Sequence, residues 1–533
     1  MQGGLLTRNA ILNLLGQAIP LAVAVVAMPL VIHGLGPERY GILAMAWVVL
    51  GYFGMFDLGL GRAATRFVAS ALGSGTVEKV PLIAWTAVLV QTGLGLLGAA
   101  ILAGVTPLLV GEILNIPAGL LNEARSSFYV IALSLPVVLV SGSLRGVLEA
   151  AQRFDLVNAA AVPLSVGNYL LPLIGVVLGW RLPAIVGLLV GSRALGLIAF
   201  YLLCVHVFPS LRRLPRFHAT EAGVLLRFGG WVTVSSVVSP ILVYLDRFMI
   251  GALLTIAAVA YYAAPYEMVT RLLIVPASVA ATLFPAFSSL EGERGRDAQA
   301  PARLVAASTK YLLLALGPAV VILLGFSGDL LHVWLGAEFA RRSAAALQIL
   351  AVGVLANSLA QVPFALIQGL ARPDVTAKIH LAELPLQGIL VWALVRWWGI
   401  TGGALAWSLR ATVDAFLLFI FAARLTGTSW RSLIDRQATQ LLGLLVVLGG
   451  LATGASVLVH DPALRVVALA VPLLGAALVT WRHLLDDGDR ARIARMARLS
   501  AAPATPRGRV ARPARVTSRH SAGASELAAR HRP

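Results

Sequence analysis

Along this chain the apolar residues run on rather than alternate with polar ones. Stretches of about twenty nearly uncharged residues recur from Asn9 to Leu484, separated by short loops rich in Arg, Gly and Pro. A helix needs about 20 apolar residues to cross the hydrocarbon of a bilayer. The runs predict fourteen membrane-spanning helices. In the first half these are Asn9–Ile32, Tyr40–Phe56, Leu82–Val110, Ser126–Leu148, Leu156–Gly179 and Ala184–Val207. The second half gives Phe228–Leu253, Val259–Phe287, Val305–Phe326, Ala344–Leu370, Ile379–Trp398 and Thr401–Ala423, and Thr439–Val459 and Ala463–Leu484 follow. The fold class expected is therefore all-α and polytopic. No loop is long enough to hold a soluble domain, so any chemistry has to take place within the membrane.

The pattern also repeats. Gly146-Val-Leu leads to Arg153-Phe-Asp155 and then to a span containing Pro163-Leu164. Later, Gly369-Leu leads to Arg372-Pro-Asp374 and a span containing Pro385-Leu386, and Gly191-Ser-Arg193-Ala194 matches Trp407-Ser-Leu-Arg410-Ala411. Each half holds an even number of spans, so both copies keep one orientation. Two like-oriented, pseudo-symmetric bundles with a site between them are a transporter architecture of the alternating-access kind. The expected divisions are an amino-terminal six-helix lobe (1–207), a cytoplasmic linker (208–227) and a carboxy-terminal six-helix lobe (228–424). Two further spans (425–485) and a basic tail without regular structure (486–533) complete the chain.

Composition changes this picture little. The chain has 533 residues, 59% of them hydrophobic and only 12% charged, against about 25% charged in soluble proteins. Its net charge of +18 fits anionic lipid better than nucleic acid. One side of the membrane collects 18 Lys and Arg from the loops and the other 7, which places both termini in the cytoplasm. A single cysteine, Cys204, rules out an intrachain disulfide or a thiolate metal cluster. Histidines show no metal-ligand spacing, no nucleotide-phosphate loop is present, and no cofactor, metal or catalytic residue is expected. The amino terminus passes from Arg8 directly into a span too long for a cleavable signal.

Candidate chemistry lies in the charges that interrupt the apolar runs, since each costs at least a few kcal/mol inside a bilayer. The stretch Phe56-Asp-Leu-Gly-Leu-Gly-Arg-Ala-Ala-Thr-Arg-Phe67 places Arg62 and Arg66 on one helical face. Two guanidinium forks there suit a phosphate or pyrophosphate, and they suit equally a cytoplasmic anchor. Three spans carry an acid and a base four residues apart: Arg145 with Glu149, Glu267 with Arg271, and Arg410 with Asp414. Such pairs either glue helices together or line a polar cavity. Arg193 and the adjacent Asp246 and Arg247, whose side chains must diverge, join the set. The deep charges sum to slightly positive, which favours an anionic substrate. Tyr261, Tyr262 and Tyr266 are candidates to stack on sugar, whereas Trp47, Trp85, Trp180, Trp334, Trp397 and Trp398 read mostly as interfacial aromatics. His380 with Glu383 reads as a proton site or as packing.

The amino-terminal pattern Asn9, Asn13, Gly16, Pro20, Pro29, Leu35-Gly36 and Tyr40-Gly41, followed by Phe56 to Arg66, resembles the polysaccharide transporters of the multidrug/oligosaccharidyl-lipid/polysaccharide exporter superfamily. These are the Wzx-like flippases. The resemblance runs from about Ala10 to Leu484 and implies fourteen helices in two bundles. It also implies export of an undecaprenyl-diphosphate-linked oligosaccharide from the inner to the outer leaflet of the cytoplasmic membrane. On that basis Arg62, Arg66, Arg145, Arg193, Arg271 and Arg410, with Tyr262 and Tyr266, become candidates for diphosphate and sugar. Asp57, Glu149, Glu267 and Asp414 become candidates for ion coupling. Membrane lipids, a polysaccharide polymerase and glycosyltransferases are the expected partners. A peptidoglycan-precursor flippase and a multidrug/cation antiporter remain as alternatives. A glycan-polymerising enzyme would need a larger outer loop, and a scaffold role would leave the buried charges unexplained.

Overall fold

A computed structural model describes residues 2–55, 60–212, 230–292, 299–370, 372–459 and 461–491. The expected linker falls largely outside these residues, and so does most of the basic tail. Every element among the described residues is helical. Leaving single-turn segments aside, the helices are α1 (Gln2–Met55), α2 (Leu60–Gly73), α3 (Val80–Leu108), α4 (Leu121–Ala150), α5 (Phe154–Val177), α6 (Leu182–Val207) and α7 (Gly230–Leu253). They continue as α8 (Ile256–Thr270), α9 (Ile274–Gly292), α10 (Ala300–Leu335), α11 (Ala337–Gly369), α12 (Pro373–Thr426), α13 (Arg436–Leu458) and α14 (Pro462–Val479).

Eleven stretches among the described residues are long and apolar enough to cross a membrane. Two of them are each broken by one glycine. In α1, Gly36 takes φ 74° and ψ 165°, and in α12, Gly399 takes φ 57° and ψ −137°. A side chain at either site would clash with its own backbone, so these are places where only glycine turns the chain cheaply. Pro37 then starts the second limb of α1 with a preset φ. The breaks fall where the apolar runs separate spans one from two and eleven from twelve.

Residues 1–478 form one compact unit. Within it α2, α3, α5 and α6 pack around or beside α4, α11 packs between α10 and α12, α7 lies along α12, and α1 runs against α5, α7 and α8. Large side chains such as Leu96, Leu97 and Ile101 on α3 and Val446 and Val447 on α13 are exposed, as lipid-facing residues are. The sequence repeat reappears as one local motif. Arg153 forks onto Asp155 at 3.0 and 2.9 Å, and Arg372 forks onto Asp374 at 2.9 and 3.2 Å. Each fork stands at the start of a helix, α5 or α12, where a carboxylate meets the positive end of the dipole.

The second limb of α1 packs tightly against the start of α8 at Gly41. A Cβ there would overlap the backbone carbonyl of Ile256, whereas one at Gly443 on α13 would meet nothing within 4 Å. Backbone cannot yield as a flexible side chain can, so overpacking at such a point costs about 1–3 kcal/mol or more. Gly41→Ala is therefore expected to lower the thermal melting point of the detergent-solubilised protein by several degrees, with Gly443→Ala unchanged. Equal melting of the two variants would remove the packing role given to Gly41.

Candidate functional site

Helix α8 carries the densest constellation. It starts cleanly because Thr255 caps it, accepting from the Ala258 amide at 3.1 Å. Turns of 3.6 residues bring Tyr262 and Tyr266 and, one residue on, Glu267 of α8 and Arg271 just past its end into one cluster. Glu267 receives Arg271 at 2.8 Å and lies 3.8 Å from Arg247 of α7. Its carboxylate thus sits between two guanidiniums, so this group carries one net positive charge. Arg247 is only 4% exposed in its side chain, while Glu267 and Arg271 are each 35% exposed. Arg271 donates to the Tyr169 hydroxyl of α5, tying the two halves of the chain together at the level of the site.

Aromatic rings enclose these charges. Arg247 stacks 4.0 Å from the Tyr266 ring centroid and 5.4 Å from that of Tyr244, a cation–π arrangement worth more when desolvated than at a surface. Tyr262 lies 5.9 Å from Tyr266, and Tyr266 meets Trp407 of α12 edge-on at 5.5 Å. On the other flank Trp47 lies 6.0 Å from Tyr40 and 6.1 Å from Tyr169. Trp47 is thus part of the interior wall and not the interfacial aromatic that its sequence position suggests. Asp246, fully buried, accepts from the Tyr262 hydroxyl and, at 2.7 Å, from the Arg247 amide. As expected, the neighbouring Asp246 and Arg247 find different side-chain partners.

A second polar group sits on the two limbs of α12, three residues beyond Trp407. Arg410 approaches Glu383 at 3.5 Å, and His380 approaches Asp414 at 3.8 Å. The expected Arg410–Asp414 pair is replaced by this exchange of partners. The break at Gly399 folds the first limb back beside the second, and residues 27 apart become nearer neighbours than those one turn apart. A cavity of about 220 Å³ borders His380, Arg410 and Asp414, with Asn357 and Gln361 of α11 opposite. The ligand atoms of His380, Glu383 and Asp414 lie within 4.8 Å of one another, close enough to share a small cation. Sequence spacing had offered no metal motif because the three come together only through the fold.

The remaining candidates stand apart. Arg145 and Glu149 pair at 2.7 Å on an open surface, their side chains 54% and 30% exposed. Arg193 of α6 donates to Asn168 of α5 at 3.3 Å. Arg66 is exposed on α2. Asp57 and the Arg62 side chain lie outside the described residues. Beside the Glu267–Arg271 pair opens an apolar groove of about 550 Å³, walled by Leu21, Val25 and Met28 of α1 and by Ile322, Phe326 and Val333 of α10. Tyr169, Tyr244, Trp47 and Trp407 were not among the sequence candidates. Nothing local distinguishes them from lipid-facing aromatics.

A polytopic helical bundle with a charged, aromatic-lined centre is the architecture of a membrane transporter. Comparison with known proteins gives the family. Residues 6–291 match the polysaccharide biosynthesis protein family, and the chain belongs to it. A protein of Shigella flexneri named as an O-antigen transporter is 30% identical over 420 residues, covering 77% of this chain and 96% of that one. Among solved structures, an inward-facing multidrug-resistance transporter of the MATE family and MOP superfamily superposes with a TM-score of 0.66 at 15% identity, covering 78% of this chain and 98% of that one. The lipid II flippase MurJ in an inward closed conformation gives 0.64 at 14% identity, with 90% and 100% covered. Both share the fold.

Proposed function

We propose that this protein moves an undecaprenyl-diphosphate-linked oligosaccharide, a repeat unit of O-antigen, capsule or exopolysaccharide, from the inner to the outer leaflet of the cytoplasmic membrane. The observation that carries the reading is the junction of two unlike surfaces. A partly exposed Glu267–Arg271 pair, with Arg247 behind it, stands at the edge of an apolar groove. A lipid-linked sugar needs such a junction, with cations for the diphosphate beside hydrocarbon for the polyprenyl chain. The similarity to the Shigella protein supports the same cargo class.

Within this reading Arg271 holds the diphosphate, and Tyr262, Tyr266 and Trp407 form the wall against which sugar rings stack. Arg62 and Arg66 gather the headgroup at the cytoplasmic mouth, Arg145 and Arg193 provide further cationic stations, and Arg410 belongs to the coupling group with Asp414. Glu267 competes with the cargo for Arg271, so binding exchanges one anion for another. Glu149 and Asp57 remain coupling candidates of lower standing, since Glu149 lies on an open surface. Counting the broken helices as two limbs each and adding α7 turns eleven spans into fourteen. Two like-oriented lobes, 1–207 and 228–424, would then alternate around the site with both termini in the cytoplasm. The basic tail would rest on anionic headgroups, with glycosyltransferases acting before the translocation step and the polymerase after it.

The test is leaflet exchange of a fluorescent polyprenyl-diphosphate oligosaccharide in proteoliposomes. Protein-dependent flipping of several glycans, with no extrusion of organic cations, is the expected result. Cation extrusion against an ion gradient without lipid flipping would replace this reading with the antiporter. Flipping confined to a peptidoglycan precursor would narrow the cargo to that lipid.

A further inference from the structure

Asn115, in the turn between α3 and α4, spends its polar groups on the other half of the chain. Its amide donates to Gly251 O at 3.0 Å, and its carbonyl accepts from Ile256 N at 3.1 Å. Its side-chain amide donates to Ala252 O at 2.9 Å and to Leu254 O at 2.8 Å. Gly251, Ala252 and Leu254 belong to the carboxy-terminal turn of α7 and the residue after it, and Ile256 is the first residue of α8. Helix ends leave carbonyls and amides without intrahelical partners, and these are normally capped from within the same segment. Here one residue of the amino-terminal half caps the end of one helix and the start of the next in the carboxy-terminal half.

We infer that Asn115 is a latch that holds the poorly basic face of the molecule shut and must release before the site opens to that side. The helix whose first amide it holds is the one that carries Tyr262, Tyr266 and Glu267 and is followed directly by Arg271. A tilt of α8 driven at one end by cargo at Arg271 is felt at the other end directly by the Ile256 bond and, through the short α7–α8 turn, by the three bonds to Gly251, Ala252 and Leu254. Asn115 is exposed, so water replaces each lost bond and the net cost of each is modest, about two- to tenfold in an equilibrium. Four together are strong enough to bias a gate and weak enough to let it turn over. The second limb of α1 reinforces the seal through Gly41, which presses on the Ile256 carbonyl. Trp334 at the end of α10 also donates across the halves, to the Val25 carbonyl at 2.7 Å, but two further strong polar contacts, the Arg39–Glu123 fork at 2.9 and 3.0 Å and Tyr261 to Glu338 at 2.8 Å, each join elements of one half. They would ride with their halves rather than hold them together.

The latch presupposes the alternating access proposed above but not the nature of the cargo, so it is read by distance and not by transport. Spin labels on Gly119→Cys and Arg341→Cys, both exposed positions, report the separation of the halves by pulsed dipolar spectroscopy in nanodiscs. The native Cys204 is buried and stays unlabelled. Asn115→Ala removes the two side-chain bonds and is expected to raise the ratio of long to short distances about tenfold. Asn115→Asp keeps the size but sets a carboxylate against two carbonyl oxygens, and a larger rise is expected. Where the Asp variant fails to fold, the Ala variant, which keeps both backbone bonds, decides alone. Distance distributions identical to the parent in a folded variant would overturn the latch. Failure of lipid flipping with the distance shift intact would instead overturn the cargo and leave the latch standing.

Discussion

Arg271→Ala is expected to abolish leaflet exchange of the lipid-linked glycan while leaving the protein folded. The side chain is about one-third exposed and meets Glu267, the Tyr169 hydroxyl and the edge of the apolar groove. Hydrogen bonds to charged groups are worth about 1.5–3 kcal/mol each, and a bidentate diphosphate contact makes two. Loss of both lowers binding by at least about a hundredfold. Folding should survive because Glu267 keeps Arg247 at 3.8 Å as a counter-ion. Glu267→Gln serves as the complement. Freed of its competing carboxylate, Arg271 should bind the diphosphate more tightly and release it more slowly, so affinity rises as turnover falls. Titration of a fluorescent cargo against both variants distinguishes the cases. Unaltered binding in Arg271→Ala would move the diphosphate site elsewhere, with Arg66 and Arg193 next in line.

The second large effect concerns stability. Arg410→Met is expected to cost about 3–5 kcal/mol, because removing one member of a buried ion pair leaves an uncompensated charge. Glu383 is 4% exposed and Asp414 5% exposed, so both carboxylates depend on the guanidinium for their counter-charge. Joining Glu383→Met to Arg410→Met should recover most of the loss, since a buried pair exchanged for apolar side chains of similar volume is often neutral. Urea-dependent unfolding of the two variants in detergent gives the comparison. A single variant as stable as the parent would mean that Arg410 faces water and not Glu383. The double variant should remain unable to transport if this group takes part in coupling.

The membrane-spanning helices could be read from the sequence because length and apolarity alone set them, and the glycine breaks in α1 and α12 fall where those runs divide. The Glu267–Arg271 pair was equally legible. Both residues lie on one stretch of backbone, Glu267 in the last turn of α8 and Arg271 just past it, where spacing fixes geometry. Arg410 was not, although it shows the same spacing to Asp414. The fold at Gly399 brings Glu383 of the other limb closer, and spacing along one helix is blind to a neighbouring limb. Trp47 failed for a related reason. An indole near the end of an apolar run looks the same whether it meets headgroups or, as here, Tyr40 and Tyr169. Asn115 gave no signal at all, since an asparagine two residues ahead of a proline in a turn is unremarkable until the carbonyls it caps are known.

The last two helices have a use that their modest packing suggests. Among the described residues α13 lies chiefly along α10, and α14 is tied to α10 where Arg465 binds Asp329 and Leu469 fits against Gly325. Their outer faces, from Val446 and Leu451 to Val467 and Val471, meet no other helix closely and are exposed. Whatever rotation α10 undergoes, this pair travels with it as a passenger. A fluorophore fixed to α14 would therefore act as a lever arm, magnifying the swing of the carboxy-terminal half without disturbing the seam that moves.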